Sequence, residues 1–265
     1  MHCQNFRKDY KVFKTFVVSE HTTLAHYICL PFFKSMTDNE ENIDLSSPTW
    51  GRGAIIYCYD AYCGWCYGFS KVMTQIAEEY QDRFFFDVLS GGMIMPEEPT
   101  HFAPLAKYIQ GAYKQVENLT GIKFGEDFLW HVFNPDKTDW FPDSTKAAIA
   151  LCIFKEYYPE QAVFIASDLQ YALNYEGRDL TDDEAYRHLV EKYSIPAHSF
   201  YEKLKSEEYR EKAYYEIALT KQFQVKGFPS LLMQVSDSKF YLLAQGYTDY
   251  ETVKRRLEKV LQEID

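Results

Sequence analysis

The pattern of apolar and polar positions divides the chain into short strand-like runs and longer helical ones. Ala54 to Asp60, read Ala-Ile-Ile-Tyr-Cys-Tyr-Asp, is brief, apolar and rich in β-formers, with Gly51 and Gly53 before it, and it reads as a buried strand. Beyond it Val72, Ile76, Ala77 and Tyr80 recur at helical spacing, opposite Glu78, Glu79 and Gln81, which predicts an amphipathic helix over 66–81. Phe84 to Ser90 is a second strand, closed by Gly91-Gly92. From Thr100 to about Phe223 helical periods dominate, as in Ala162, Ile165, Ala166, Leu169, Ala172 and Leu173. Pro142-Asp143-Ser144, Tyr158-Pro159, Gly177 with Asp179, and Ile195-Pro196 mark the joints between these helices. Strand character returns at Ser230 to Val235 and Phe240 to Ala244, around the polar turn Ser236-Asp237-Ser238. A last helix, about Asp249 to Ile264, carries the stripe Val253, Leu257, Val260, Leu261 and Ile264. The order is strand, helix, strand, long helical excursion, two strands, helix, with no internal repeat.

Composition narrows the function classes. A chain of 265 residues holds one large domain or two small ones. Its 39 acidic against 28 basic side chains give a net charge of −11, which repels phosphate backbones and anionic lipid, so neither nucleic acid nor a membrane is expected as partner. The longest apolar stretches, such as Ala147 to Phe154, fall short of the roughly 20 residues that span a bilayer. Residues 1 to 35 carry +3, against −14 for the remainder, and the run from Phe13 to Phe33 is interrupted by Lys14, Glu20, His21 and His26. That is not the continuous apolar core of a secretory signal, so a cytoplasmic location is expected. Residues 1–49 read as a poorly ordered leader, in which Met36 is an alternative start of translation. His21, His26 and Cys29 match no zinc spacing, and no metal is expected.

Six cysteines at 3, 29, 58, 63, 66 and 152 are too sparse for a disulfide scaffold, but Cys63-Gly64-Trp65-Cys66 stands where the first strand meets its helix. Three-residue spacing on a helix brings two Cβ atoms within about 5 to 6 Å on one side, a separation a disulfide accepts. Unpaired N–H groups and the macrodipole at a helix start favour a thiolate, which makes Cys63 the expected nucleophile and the inward Cys66 the resolving thiol. A zinc site would need a second pair, and there is none. Cys58, on the buried strand, and Cys152, in an apolar helical run, read as inert core thiols.

Cys63 to Cys66 at a strand–helix junction, Gly227-Phe228-Pro229 opening a late strand, and strands interrupted by a helical excursion together resemble the DsbA-like branch of the thioredoxin superfamily. The stretch Tyr59-Asp60-Ala61-Tyr62-Cys63-Gly64-Trp65-Cys66-Tyr67-Gly68-Phe69, followed by Leu89-Ser90-Gly91-Gly92, is similar to its FrnE-like members, over about residues 54 to 264. The resemblance implies an α/β, thioredoxin-like fold with a large all-helical insertion: residues 50–99 and 212–265 forming the thioredoxin-like domain and 100–211 the insertion. It also implies that Pro229 is cis beside the dithiol and that the backbone of Phe228 pairs with an extended substrate segment. Relatives that isomerise chromene carboxylates or conjugate glutathione replace the first cysteine by serine. Cys63 therefore points to the redox branch, while Gly-Trp in place of the Pro-His of the periplasmic oxidants leaves the redox direction open.

Other residues have two readings each. Asp60 closes an Asx turn at the strand end or relays a proton to Cys66. Tyr62 and Trp65 form a substrate lip or cap the core. Gly91-Gly92 is a plain turn or presents N–H groups to a carboxylate such as that of glutathione. Trp130, His131, Trp140 and Phe141 flank helix boundaries and are offered as a groove wall, with a structural role for His131 alone.

The resulting expectation is a cytoplasmic thiol–disulfide oxidoreductase. The Cys63–Cys66 disulfide is its redox centre, no cofactor is required, protein or small-molecule disulfides are its substrates, and a thiol system such as glutathione or a thioredoxin-like donor regenerates it. The alternatives are a redox-sensing adaptor that presents proteins to a protease, and a glutathione-dependent isomerase or transferase on the same fold.

Overall fold

The computed structural model describes residues 53–236 and 238–264, and the backbone of the strand Thr15–Val17. The remainder of the leader, with His21, His26, Cys29 and Met36, lies outside the described residues.

The strands are β1 Thr15–Val17, β2 Ala54–Tyr59, β3 Phe85–Ser90, β4 Ser230–Gln234 and β5 Lys239–Gln245, in the order β1-β5-β4-β2-β3. The β2–β3 pair is parallel and the others are antiparallel. The parallel pair requires a crossover, supplied by α1 Gly64–Tyr80. Strand β2 is buried along its whole length because both faces are covered. Ile55, Tyr57 and Tyr59 enter the main core, and Ile56 and Cys58 a smaller one with Leu89, Leu219, Phe223, Leu232 and Phe240.

The helical excursion comprises α2 Ala103–Thr120, α3 Glu126–Phe133, α4 Ser144–Tyr157, α5 Ala162–Asn174, α6 Arg187–Lys192, α7 Ala197–Leu204 and α8 Glu207–Gln222. Residue 212, the expected start of the second thioredoxin-like segment, falls inside α8, which packs on β3 and on α4 alike. The residue capping α4 is Asp143, whose carboxylate accepts the Thr145 N–H at 2.7 Å. The chain ends in α9 Tyr250–Ile264, whose Val253, Leu257, Val260 and Leu261 are buried. This is a thioredoxin-like fold with a helical insertion.

Two packing choices position the site. Gly68 lies where a Cβ would come within 2.9 Å of Thr120 and Val116, so glycine there lets α2 approach α1 closely. Helix α5, packed along α1 and β3, carries a polar pair on its otherwise apolar buried side: Gln170 and Asn174, one helical turn apart and both buried.

Candidate active site

The turn between β2 and α1 is built around the buried Asp60. Its Oδ1 accepts the Tyr62 N–H at 3.0 Å, which closes an Asx turn, and the Ser144 hydroxyl at 2.9 Å; its Oδ2 accepts the Met93 N–H at 2.7 Å. The Asp60 carbonyl accepts the Cys63 N–H at 3.1 Å and the Gln170 amide at 3.3 Å, and the Ala61 carbonyl accepts the Asn174 amide at 3.5 Å. One carboxylate thus ties the dithiol turn to the loop after β3 and to the start of α4, and α5 holds the same turn from below. Burial raises the Asp60 carboxyl above the usual range, and its hydrogen bonds offset part of that rise. The Asp60 side chain closes the Asx turn and makes no direct hydrogen bond to either sulfur.

Cys63 caps α1: its Sγ accepts the Cys66 N–H at 3.4 Å. The same sulfur donates to the Phe228 carbonyl at 3.6 Å, across 165 positions of sequence. The Phe228–Pro229 peptide is cis. Both thiols are free. Cys66 has no exposed surface, and burial, with Cys63 beside it, pushes its thiol well above the usual value. The Tyr57 hydroxyl lies beneath and donates to the Cys66 carbonyl at 3.5 Å.

Above the sulfurs opens a cavity of about 210 Å³. One side is Tyr62, Cys63, Gly64, Trp65 and Phe228; the other is Leu105, Tyr108, Ile109, Ala112 and Tyr113 of α2, with Phe124 and Phe128 beyond. None of its lining residues is charged. Tyr62 and Trp65 each pack on the core and each line the cavity.

The aromatic cluster Trp130, His131, Trp140 and Phe141 does not form the wall. His131 stacks on Trp140 with ring centroids 4.0 Å apart and shares a 2.8 Å hydrogen bond with Thr138, and burial lowers its pKa. Helix α2 supplies the wall instead, because the α1–α2 contact at Gly68 swings its Leu105–Tyr113 side over the dithiol. The role of Gly91 is likewise steric: it is buried, and the Phe228 ring covers it. Residue typing alone missed Ser144, Gln170 and Asn174. The legible signal was the polar i, i+4 pair Gln170 and Asn174 interrupting an apolar helix.

A family model, the DSBA-like thioredoxin domain, matches residues 54–258. The chain belongs to this family of thiol–disulfide oxidoreductases. Among solved structures it is similar to a candidate protein disulfide isomerase from Nitrosomonas europaea, with 22% identity, covering 80% of this chain and 98% of that one, at a TM-score of 0.67. It is also similar to the cytosolic disulfide reductase DsbM from Pseudomonas aeruginosa, with 22% identity over 79% and 98% of the two chains and a TM-score of 0.65. A 2-hydroxychromene-2-carboxylate isomerase shares 13% identity over 80% and 95%, with a TM-score of 0.52. No curated protein matches the sequence.

Proposed function

We propose that the protein exchanges disulfides with protein or small-molecule substrates through Cys63 and Cys66. The observation that carries this reading is the position of the Cys63 sulfur: at the N-cap of α1, 3.6 Å from the Phe228 carbonyl, at the mouth of an uncharged cavity. Unpaired N–H groups of a helix start stabilise negative charge on sulfur.

In the reducing direction the Cys63 thiolate attacks one sulfur of the substrate disulfide, forming a mixed disulfide and expelling the other sulfur as a thiolate. Cys66, after losing its proton, attacks the Cys63 sulfur; the substrate leaves as a second thiol and Cys63–Cys66 closes. The substrate gains two electrons and two protons, and the protein loses them. Burial pushes the Cys66 thiol up, which leaves the first attack to Cys63. The oxidising direction is the same sequence reversed. Phe228 and Pro229 seat the substrate backbone, and Tyr62 and Trp65 bound the space for the side chain beside its cysteine. Two sulfurs carry the two electrons, so the reaction requires neither metal nor organic cofactor.

Glutathione or a thioredoxin-like donor completes the cycle in a reducing, cytoplasmic setting. Support comes from the cytosolic reductase DsbM, also solved with GSH, which shares the fold. Among the described residues no helix is long and apolar enough to cross a membrane.

The test is the redox equilibrium of Cys63–Cys66 titrated against glutathione buffers, with acid quench and thiol alkylation and Cys63→Ser as control. A two-electron transition absent from the control is the expected result. A potential near about −270 mV marks a reductant and one near about −120 mV an oxidant. Cys66→Ala is expected to accumulate the mixed disulfide on non-reducing gels. Full turnover by Cys66→Ala would replace this reading with glutathione-dependent isomerase or transferase chemistry, and tight partner binding without turnover would replace it with the adaptor.

A further inference from the structure

The dithiol is not positioned by its own turn alone. The Phe228 carbonyl that faces Cys63 comes from a loop 165 positions away, and something must hold that loop at the right height. The structure places the Phe228 ring flat over Gly91, the residue just after β3. A Cβ built on Gly91 would lie 2.0 Å from Phe228 Cζ, 2.4 Å from Cε1 and 2.5 Å from Cε2. These are overlaps with three ring atoms, not a graze with one. Gly91 has no positive φ, so the space above it, not its backbone conformation, is what requires glycine.

The seat is itself fixed. The Gly91 N–H donates to the Tyr59 carbonyl at 2.7 Å, one step beyond the register in which Tyr59 pairs with Ser90. The Met93 N–H donates to Asp60 at 2.7 Å, Ile94 accepts the Ser144 N–H at 2.7 Å, and the Ser144 hydroxyl accepts the Ile94 N–H at 3.1 Å. The segment Gly91–Ile94 is therefore fastened to the strand that leads into Cys63 and to α4. The half-buried ring on top packs on both core clusters and borders the cavity beside the dithiol, which is its one open side.

We propose that Gly91 is a positioning residue of the dithiol: its missing side chain is the socket for the Phe228 ring, and the ring in that socket sets the Phe228 carbonyl against the Cys63 sulfur. A side chain at Gly91 drives the ring into the substrate cavity or lifts the Phe228–Pro229 loop, and either displaces the surface a substrate must meet. This rests on the exchange reading given above.

The experiment compares wild type, Gly91→Ala, Phe228→Ala and the double variant. Two quantities are read: the rate of exchange with oxidised glutathione and the Cys63–Cys66 equilibrium constant against glutathione. In the wild-type background Gly91→Ala is expected to slow exchange by about tenfold or more and to shift the equilibrium constant by about threefold or more, as for groups that act as a unit. In the Phe228→Ala background, where the socket is empty, the same change should alter neither by more than about twofold. A Gly91→Ala protein equal to wild type, or an equal loss in both backgrounds, overturns the proposal. Should Gly91→Ala alone fail to fold, the double variant should fold as well as Phe228→Ala, and a double variant no better folded than Gly91→Ala is the refuting result. A wild-type protein with no reversible disulfide would refute the exchange reading instead, and the folding arm would still test the socket.

Discussion

Cysteines stand in two buried regions of this molecule, and burial does not separate them: Cys63 is 6% exposed and Cys152 is 7%. At one end of the sheet Cys63 caps a helix, receives an N–H and borders a cavity. At the outer edge of the sheet Cys152 lies beside Glu216, whose carboxylate and that of Asp87 share Lys155 at 2.6 and 2.8 Å. Burial raises the Cys152 thiol first, and Glu216 raises it further; Cys58 is raised by burial and then by the same two carboxylates. Access and the sign of the neighbouring charge, more than depth, make a thiol usable. The first region is organised around a sulfur that accepts one helix N–H and faces a carbonyl, the second by carboxylates around an ammonium.

The contrast can be broken most severely at the sulfurs. Cys63→Ser should abolish disulfide exchange, whereas Cys58→Ser and Cys152→Ser should leave its rate within about twofold in an insulin- or glutathione-disulfide assay. Exchange that survives Cys63→Ser but is lost on changing Cys152 would invert the comparison.

The ionic edge should matter for stability instead. Lys155→Met leaves two carboxylates buried without their cation and should cost about 3–5 kcal/mol in urea unfolding, while the folded fraction exchanges disulfides at the wild-type rate. A neutral result would mean that water or protonation already satisfies Asp87 and Glu216.

Asp60 links the regions through Ser144 and α4, and Asp60→Asn should cost about 1–3 kcal/mol because one amide cannot accept all three of its hydrogen bonds. Burial holds the Asp60 carboxyl above its unfolded value of about 4. It therefore contributes stability that is fully present below pH about 4 and lost as pH rises through its raised folded value. The cost of Asp60→Asn should accordingly be larger at pH 4 than at pH 7, as read from unfolding midpoints at the two pH values; a cost growing with pH would mean that the ionised form is the one the turn prefers.

The smallest effect belongs to the surface. Lys254, paired with Glu79 at 2.5 Å between α9 and α1, lies on neither region, and Lys254→Ala should leave both the urea unfolding midpoint and the exchange rate close to wild type.

Local pattern made much of this legible. Short apolar runs bounded by glycine or polar turns marked β2 to β5 within a residue or two of their observed ends, and the helical spacing from Val72 to Tyr80 marked α1. The cysteine pair was readable since two thiols three apart at a helix start need no distant partner. Residues whose roles depend on distant contacts were not. Trp130 and His131 looked like a wall by type, yet α2 provides it, since the approach permitted by Gly68 decides which helix faces Cys63. Lys155, Asp87 and Glu216 come from three elements and carry no local signature.

By itself, the sequence determined the strands and helices that flank the dithiol, that the chain is acidic, and that two thiols sit at a helix start, but not the strand Thr15–Val17 inside the expected leader; the first three follow from side-chain periodicity and neighbours a few bonds away, whereas that strand exists through its pairing with β5. The tertiary structure alone decided which carbonyl meets Cys63, that Gly91 is a socket for Phe228, and which cysteines are walled in by carboxylates. Those facts depend on packing between elements far apart in the chain, where a single Cβ or a single charge selects among arrangements the local pattern leaves equal.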